Sequence, residues 1–456
     1  MKVIICGAGL VGYNIAKYLI AEDNDVTVVD NDPELVSKIN ESLDCRGQLG
    51  HASSPAVLEK AGVEDADMLI AVTRDDEVNM MACKVAYTLF NVPRKLARVR
   101  EQSYLQTKYS TLFSNEGCAV DIIISPEQEV AEAIVRRVRA PGAFDVMPFC
   151  EDKVSVIGVH VLEDAKVLKM NLDRLLGECD VDMNIMAIIR DGKLIIPNAD
   201  VIVEVNDKVY FVCTKEMIKH CLKLFGHDEE ESNHILLIGG GNVGAYVASY
   251  FEDDKDISLR VIESDMNTAR KLAEKMPSTT IINGNALDSD ILEEAGIHQN
   301  DVCIAVTNDD ETNLLTSLLA KNAGVSRVIS LINNRDYGVL TDKLGVDVTV
   351  NPRDITASII LESIRHGNIK SLYALPDNVA EVLEVEVSGD ATVANVALKD
   401  IKFPKNVHLG LVKSEDNIFI PYGETILKAG DRVVLSAETK NTKKITDLFT
   451  SLKEFY

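Results

Sequence analysis

Two glycine-rich segments carry the clearest chemical signal in the chain, because each lies between an apolar run and a helix-like stretch. In this context the first glycine allows a tight turn, the second lets the backbone approach a pyrophosphate, and the third lets the helix pack close to the strand. Two copies in matching context argue against glycines that serve only the turn. The segments therefore predict binding of a nucleotide, with phosphate resting on a helix N-terminus. The residues assigned to these turns are Gly7, Ala8, Gly9, Leu10, Val11 and Gly12 in the first copy, and Gly239, Gly241, Asn242, Val243 and Gly244 in the second.

An acidic residue ends the predicted strand that follows each glycine-rich turn. It is Asp30 in the first copy and Glu263 in the second. A carboxylate about 20 residues beyond the glycines accepts hydrogen bonds from ribose hydroxyls and repels a 2′-phosphate. The pattern favours NAD(H) or an adenine nucleotide over NADP, and it does not choose between those two.

Two arginines distinguish the first copy from the second. Arg98 and Arg100 end a later predicted strand that starts at Leu96, on the carboxyl edge where such sheets bind ligands. The corresponding second-copy positions are Leu331 and Asn333. We therefore expect the first site to accept more ligand charge, such as a triphosphate. The alternative is a solvated, charged strand end without a ligand.

One polar residue follows the predicted third strand in each copy. His51 comes directly after Gly50, and Asn285 comes directly after Gly284. Both are placed to contact an adenine base. For a single histidine in a loop, an ordinary surface role is the alternative.

The elements that must position these residues are duplicated as well. Leu58-Glu-Lys-Ala-Gly62 returns as Leu292-Glu-Glu-Ala-Gly296, and Ile70-Ala-Val-Thr73 returns as Ile304-Ala-Val-Thr307. In this larger unit short Val/Ile-rich runs alternate with helix-like stretches, a pattern typical of a parallel sheet covered on both faces. We predict two doubly wound α/β Rossmann domains. The predicted strands are residues 2–6, 26–30, 68–73 and 96–99, and the predicted helices are residues 12–21, 32–40 and 78–89.

A smaller unit follows each larger one. It shows period-two stretches, residues 154–161 and 383–387, and closes with an amphipathic helix, residues 215–225 or 442–449. We predict a small α+β domain in each case. The predicted domains are residues 1–131 and 234–365 (Rossmann), residues 132–226 and 366–456 (small), and an acidic linker at residues 227–233.

Composition excludes several classes of partner. The 456 residues carry a formal net charge of -25, which repels a nucleic acid backbone and anionic lipid alike. No apolar run is long enough to span a bilayer, so we expect no direct membrane insertion. The nine cysteines form no CxxC pair, which suits a reducing cytosol.

The sequence offers no catalytic residues. It lacks HExxH, GxSxG and P-loop motifs, and its histidines recur at no matched position. Cys6 and Cys303 fall in predicted buried strands, where an inert thiol is expected. We predict nucleotide binding without turnover and no metal site. The alternatives are an NAD-dependent dehydrogenase with an unidentified substrate, and a scaffold with vestigial sites.

The chain resembles the TrkA family of bacterial and archaeal potassium uptake proteins, built from RCK (regulator of potassium conductance) domains. The resemblance covers nearly the whole chain. It rests on the glycine-rich turn with Asp30, Gly50-His-Ala-Ser53, Ala71-Val-Thr73 and Ala97-Arg-Val-Arg100. The broader RCK family commonly has an aspartate where this chain has His51 and Asn285.

The resemblance implies a cytosolic regulatory subunit, peripheral on the inner face of the cell membrane through its partner. It implies NAD(H) and ATP or ADP as ligands. The implied partners are a membrane-spanning Trk potassium-translocating subunit and further copies of the chain in a tetrameric ring. The implied site residues are Gly7, Gly9, Gly12, Asp30, Thr73, Arg98 and Arg100 in the first copy, Gly239, Gly241, Gly244, Glu263 and Thr307 in the second, and the turns with His51, Ala52, Asn285 and Ala286.

Overall fold

The structure is a computed structural model that describes most of the chain. The described residues are 1–21, 23–101, 103–168, 182–197, 201–364, 368–375 and 380–450. Among them, no helix combines the length and the apolar character that crossing a membrane requires.

A six-stranded parallel sheet organises the first α/β domain. Its strand order, β3-β2-β1-β4-β5-β6, reverses direction between β1 and β4, which is the crevice where doubly wound sheets bind ligands. The strands are β1 (Lys2–Cys6), β2 (Asp25–Asp30), β3 (Arg46–Leu49), β4 (Met68–Ala71), β5 (Arg94–Arg98) and β6 (Ile122–Ile124). The helices are α1 (Leu10–Ala21), α2 (Pro33–Ser42), α3 (Pro55–Ala61), α4 (Asp76–Phe90) and α5 (Pro126–Val138).

Among the described residues, a five-stranded antiparallel sheet and one short α-helix form the first small domain. The strand order is β10-β9-β11-β8-β7. The elements are β7 (Ala143–Phe149), β8 (Val154–His160), β9 (Met183–Arg190), β10 (Lys193–Ile195), β11 (Lys208–Thr214) and α6 (Ile218–Leu224).

The second α/β domain repeats the topology of the first, with strand order β14-β13-β12-β15-β16-β17. The strands are β12 (His234–Ile238), β13 (Ser258–Glu263), β14 (Thr280–Asn283), β15 (Val302–Ala305), β16 (Arg327–Leu331) and β17 (Val348–Val350). The helices are α7 (Asn242–Phe251), α8 (Met266–Lys275), α9 (Ser289–Glu294), α10 (Asp310–Asn322), α11 (Arg335–Leu344) and α12 (Pro352–Ile364).

The second small domain repeats the first small sheet, with order β18-β19-β22-β20-β21. Its elements are β18 (Ile369–Ala374), β19 (Ala380–Glu386), β20 (Val407–Ser414), β21 (Asn417–Phe419), β22 (Arg432–Glu438) and α13 (Thr442–Phe449). The predicted fold class, two Rossmann domains each followed by a small α+β domain, is confirmed.

Alternating residues of the small sheets serve two different cores. In β8, Ile157 and Val159 pack toward the domain's own helix, whereas Val154 and Val156 pack against residues of the second small domain. The strand is therefore buried on both faces although its sequence alternates. The two small sheets thus lie face to face within one compact unit.

Polar groups hold this face-to-face contact in register. Asn184 Nδ2 donates to the backbone oxygens of Leu409, at 3.3 Å, and Gly410, at 3.2 Å. His408 Nε2 lies 3.1 Å from Asn184 Oδ1. Across the same contact, the Cys150 N–H donates to Glu384 Oε2 at 2.8 Å, and both groups are buried.

The chain forms two compact units that do not follow the simple order of the domains. The first comprises Met1–Glu129 together with Pro352–Ser363, which is most of α12. The second comprises Val130–Asn351 and the chain from Ile364 onward. The domain boundary predicted between residues 365 and 366 lies outside the described residues.

Element boundaries differ from the prediction where polar residues cap or end them. The helices predicted from Gly12 and Val78 begin earlier, at Leu10 and Asp76. Strand β5 runs from Arg94 to Arg98, so the predicted extension to Arg100 is wrong. The reason is that the Arg100 N–H donates to the Asp76 carboxylate and not to a neighbouring strand.

Candidate nucleotide sites

The first and third glycines of each turn are required by the fold itself. Gly7 has a φ of +112°, and Gly239 has a φ of +99°, in the left-handed region that favours glycine. A Cβ on Gly12 would lie 1.8 Å from the Gly7 oxygen, and one on Gly244 would lie 1.9 Å from the Gly239 oxygen. These four glycines would be needed even without a ligand.

The middle glycine of each turn is different, because nothing in the protein excludes a side chain there. A Cβ on Gly9 or on Gly241 would meet no atom within 4 Å. Gly241 has an extended backbone, with φ -66° and ψ -165°, which any residue adopts. The absent side chain therefore leaves room beside the N-terminus of α1 or α7, where backbone N–H groups lack helical partners.

The predicted acidic residues contact the same turns directly. Asp30 Oδ2 accepts from the Ala8 N–H at 2.6 Å, and Oδ1 accepts from the Asp32 N–H at 2.9 Å. In the second copy, Glu263 Oε2 accepts from the Gly240 N–H at 2.6 Å. Each carboxylate thus fixes its glycine-rich turn at the end of β2 or β13. The flanking residues Leu10, Val11, Asn242 and Val243 open helices α1 and α7.

A threonine and a buried asparagine form the opposite side of each crevice. Thr73 donates to Asn79 Oδ1 through its N–H, at 2.8 Å, and through its hydroxyl, at 2.7 Å. Asn79 Nδ2 donates in turn to the Arg98 oxygen at 2.9 Å, which links the ends of β4 and β5. Thr307 and Asn313 repeat the arrangement, with the same distances of 2.8 Å and 2.7 Å.

Sequence reasoning missed the asparagines and the acidic residues that accompany them. Asn79 and Asn313 are fully buried, and Asp76 and Asp310 are nearly so. The available signal was the shared pattern Asp-Glu-x-Asn, which begins three residues after each threonine. Its repetition in both copies marks it as part of the sites.

The two predicted arginines of the first copy have different surroundings. Arg98 Nη2 lies 2.6 Å from Glu127 Oε1, and both side chains are 15% exposed. Arg100 Nε lies 3.8 Å from Asp76 Oδ1, and its side chain is 31% exposed. Arg98 is thus already neutralised within the protein, whereas Arg100 is held loosely at the edge of the crevice.

The turn after the third strand lies beside the acidic residue. The Gly50 N–H donates to the backbone oxygen of Asp30 at 2.8 Å, and the Gly284 N–H donates to the backbone oxygen of Glu263 at 3.0 Å. His51 is exposed, with Nδ1 3.0 Å from the Ser53 hydroxyl. The remaining predicted residues of these turns are Ala52 and Ala286, which are buried, and Asn285, which is exposed and accepts from the Leu287 N–H at 3.0 Å.

The thiols nearest the two crevices are unreactive. Cys6 and Cys303 are fully buried. Burial, followed by the Asp30 charge, raises the pKa of the Cys6 thiol to about 12, and burial alone raises that of Cys303 to about 12. At neutral pH neither sulfur forms the thiolate that nucleophilic chemistry requires.

Family models match both kinds of domain twice. The TrkA-N domain matches residues 3–126 and 235–352, and the TrkA-C domain matches residues 157–226 and 382–450. The chain is 40% identical to the Trk system potassium uptake protein TrkA of Azorhizobium caulinodans, with 100% of both chains covered. It is 36% identical to the protein of the same name from Haemophilus influenzae, with 98% of each covered.

Solved structures share the fold at low sequence identity. The GsuK channel bound to NAD is 17% identical with a TM-score of 0.63, over 98% of this chain and 78% of that one. GsuK bound to ADP is 14% identical with a TM-score of 0.51, over 80% of this chain and 69% of that one. Both full-length relatives are named for potassium uptake, and neither name gives an enzymatic activity.

Proposed function

The chain belongs to the TrkA family of Trk system potassium uptake proteins, and on that premise we propose that it is a cytosolic nucleotide sensor. It binds NAD(H) and ATP or ADP in its two α/β domains and gates a membrane-spanning potassium-translocating subunit. Binding is linked to transport because a nucleotide shifts a conformational equilibrium by its different affinities for the two states.

The open space at Gly9 and Gly241 is the observation that carries this proposal. The fold does not require glycine at either position, since a Cβ would meet no atom within 4 Å. A pyrophosphate that approaches the backbone does require it. The same open position in both copies supports two nucleotide sites and argues against vestigial ones.

The surroundings of the two sites favour different ligands. Asp30 and Glu263 support ribose binding without a 2′-phosphate. GsuK, which shares the fold, has been described bound to NAD and to ADP. Arg100 gives the first site a cation where the second has Asn333, so the first site takes the more highly charged ligand, such as ATP.

The proposed partners rest on membership of the family and not on the geometry of the nucleotide sites. The chain assembles with further copies of itself into a tetrameric ring beneath the transporter, on the inner face of the membrane. Four domains in two compact units give such a ring symmetric parts that move together.

The test is calorimetric titration of the full chain with NADH, NAD, ATP and ADP, with the nucleotides analysed afterwards for turnover. We expect saturable binding at two sites and unchanged nucleotides. Absence of binding to all four ligands would refute the sensor, and steady conversion of NADH would instead support the dehydrogenase alternative.

Replacing Arg100 by Gln is expected to reduce the preference for ATP over ADP at the first site. A half-buried cation near an added phosphate contributes about 1 kcal/mol, so the ratio of affinities should fall about fivefold. Arg46→Gln removes the same charge from an exposed residue at the opposite end of the sheet and serves as the control. An unchanged ratio in Arg100→Gln would exclude this residue from charge selection.

A further inference from the structure

The first turn of α4 and the first turn of α10 carry the same acidic motif. Both helices open with Asp-Glu-x-Asn, and the aspartates, Asp76 and Asp310, are 7% and 9% exposed. Burying a carboxylate costs free energy unless several hydrogen-bond donors contact it. The donors of Asp76 and Asp310 therefore show which segment each carboxylate holds in place.

Those donors come from the segment that follows the fifth strand of the sheet. Asp76 Oδ2 accepts from the N–H groups of Arg100 and Glu101, both at 2.8 Å. Asp310 accepts from the Asn333 N–H at 2.9 Å and the Asn334 N–H at 2.8 Å. The same two-donor contact is therefore present in each copy.

The next residue of the motif makes a second contact to the same region. The Tyr104 hydroxyl donates to Glu77 at 3.0 Å, and the Tyr337 hydroxyl donates to Glu311 at 2.6 Å. Two successive side chains of one helix turn thus fix the segment after β5 or β16 to the rest of the crevice.

The two copies differ in the contacts of the second carboxylate oxygen, Oδ1, of the aspartate. Asp310 Oδ1 also accepts from the Asn333 side chain at 3.0 Å. Among the described residues, Asp76 Oδ1 accepts no hydrogen bond and faces the Arg100 guanidinium at 3.8 Å. In the first copy the carboxylate therefore faces the Arg100 guanidinium, whereas in the second it accepts a hydrogen bond from the Asn333 side-chain amide.

We propose that Asp76 and Asp310 are positioning residues of the two nucleotide sites, which set the segment after the fifth strand against the distal half of a bound nucleotide. This rests on the proposed function. In a doubly wound sheet one half binds the first mononucleotide beside the glycine-rich turn, and the other half, beyond the switch point, receives the rest of a dinucleotide. Asp76 acts on that second half.

This placement predicts which ligands Asp76→Asn affects. The amide oxygen can still accept from both N–H groups, but these bonds lose their charge assistance, and an uncharged NH2 group replaces Oδ1 opposite the Arg100 guanidinium, so the segment is held less firmly. We expect NADH to bind about tenfold more weakly, and AMP, which occupies only the first half, to bind within about twofold of the parent.

The experiment uses the full chain with Gly241→Val, so that the second site is blocked, and titrates NADH and AMP by calorimetry. Asp75→Asn is the matched control, because Asp75 is adjacent, exposed and makes no side-chain cap. Tyr104→Phe removes only one hydroxyl and should lower the NADH-to-AMP affinity ratio about threefold even if Asp76→Asn does not fold.

The outcomes separate this inference from the proposed function. Equal losses for NADH and AMP in Asp76→Asn and Tyr104→Phe, or no change in their ratio, would overturn the positioning role alone. A parent chain that binds neither ligand would overturn both.

Discussion

Gly9→Val is expected to abolish nucleotide binding at the first site while leaving the protein folded. The valine side chain would occupy the space beside the N-terminus of α1, where a Cβ meets no protein atom within 4 Å. A pyrophosphate then loses its contact with the backbone, and we expect affinity to fall by at least about 100-fold. Gly241→Val should do the same at the second site, so that calorimetry of each single variant shows one remaining site.

The matched control for this prediction is Gly12→Ala. Its Cβ would lie 1.8 Å from the Gly7 oxygen, so we expect a loss of about 3 kcal/mol in stability. Gly9→Val should change the free energy of unfolding by less than about 0.5 kcal/mol. Normal nucleotide affinity in Gly9→Val would show that the open space has no role in binding. A loss of stability comparable with that of Gly12→Ala would show instead that the fold requires glycine at position 9.

Acid is expected to destabilise the contact between the two small domains through His408. Burial lowers the pKa of this imidazole to about 4, against 6.5 for a free histidine. Since the folded-state pKa is the lower one, the neutral ring is favoured on folding, and stability falls as pH drops from about 6.5 toward 4. At about 1.4 kcal/mol for each pKa unit, the loss approaches 3 kcal/mol.

His408→Gln removes the titrating ring while its amide can still donate to Asn184. Urea unfolding at pH 7 and pH 4 should show that the variant loses about 3 kcal/mol less than the parent over this range. Other groups titrate as well, and His227, whose pKa is raised, acts in the opposite direction, so the comparison is made between variants. His220→Gln, at an exposed position of α6, is the control. Parallel pH profiles for parent and His408→Gln would contradict the prediction.

The parts of the fold predicted from the sequence are those set by local patterns. Apolar runs indicated the strands of both parallel sheets, and the glycine spacing indicated the turns, because a Cβ on Gly12 would meet the Gly7 oxygen only five residues earlier. Asp30 was found from its spacing of about 20 residues after the glycine-rich turn, although its partner Ala8 lies on the adjacent strand end, 22 residues earlier.

The parts that were missed depend on partners far apart in sequence. The Asp76 donors are Arg100 and Glu101, more than twenty residues later, and Glu127 neutralises Arg98 from a different helix. Likewise the alternation of β8 correctly indicated two faces, but nothing local showed that Val154 and Val156 meet a second small domain. An acidic helix start or an apolar strand face has the same sequence pattern whether or not such a partner is present.

The composition of the first compact unit has a consequence for synthesis on the ribosome. Met1–Glu129 is completed early, but the unit also contains Pro352–Ser363, which emerges more than two hundred residues later. At about 5–20 residues per second this corresponds to a delay of roughly 10–45 seconds. During that interval the nascent unit lacks one of its helices, and the part of the unit that packs against this helix is exposed.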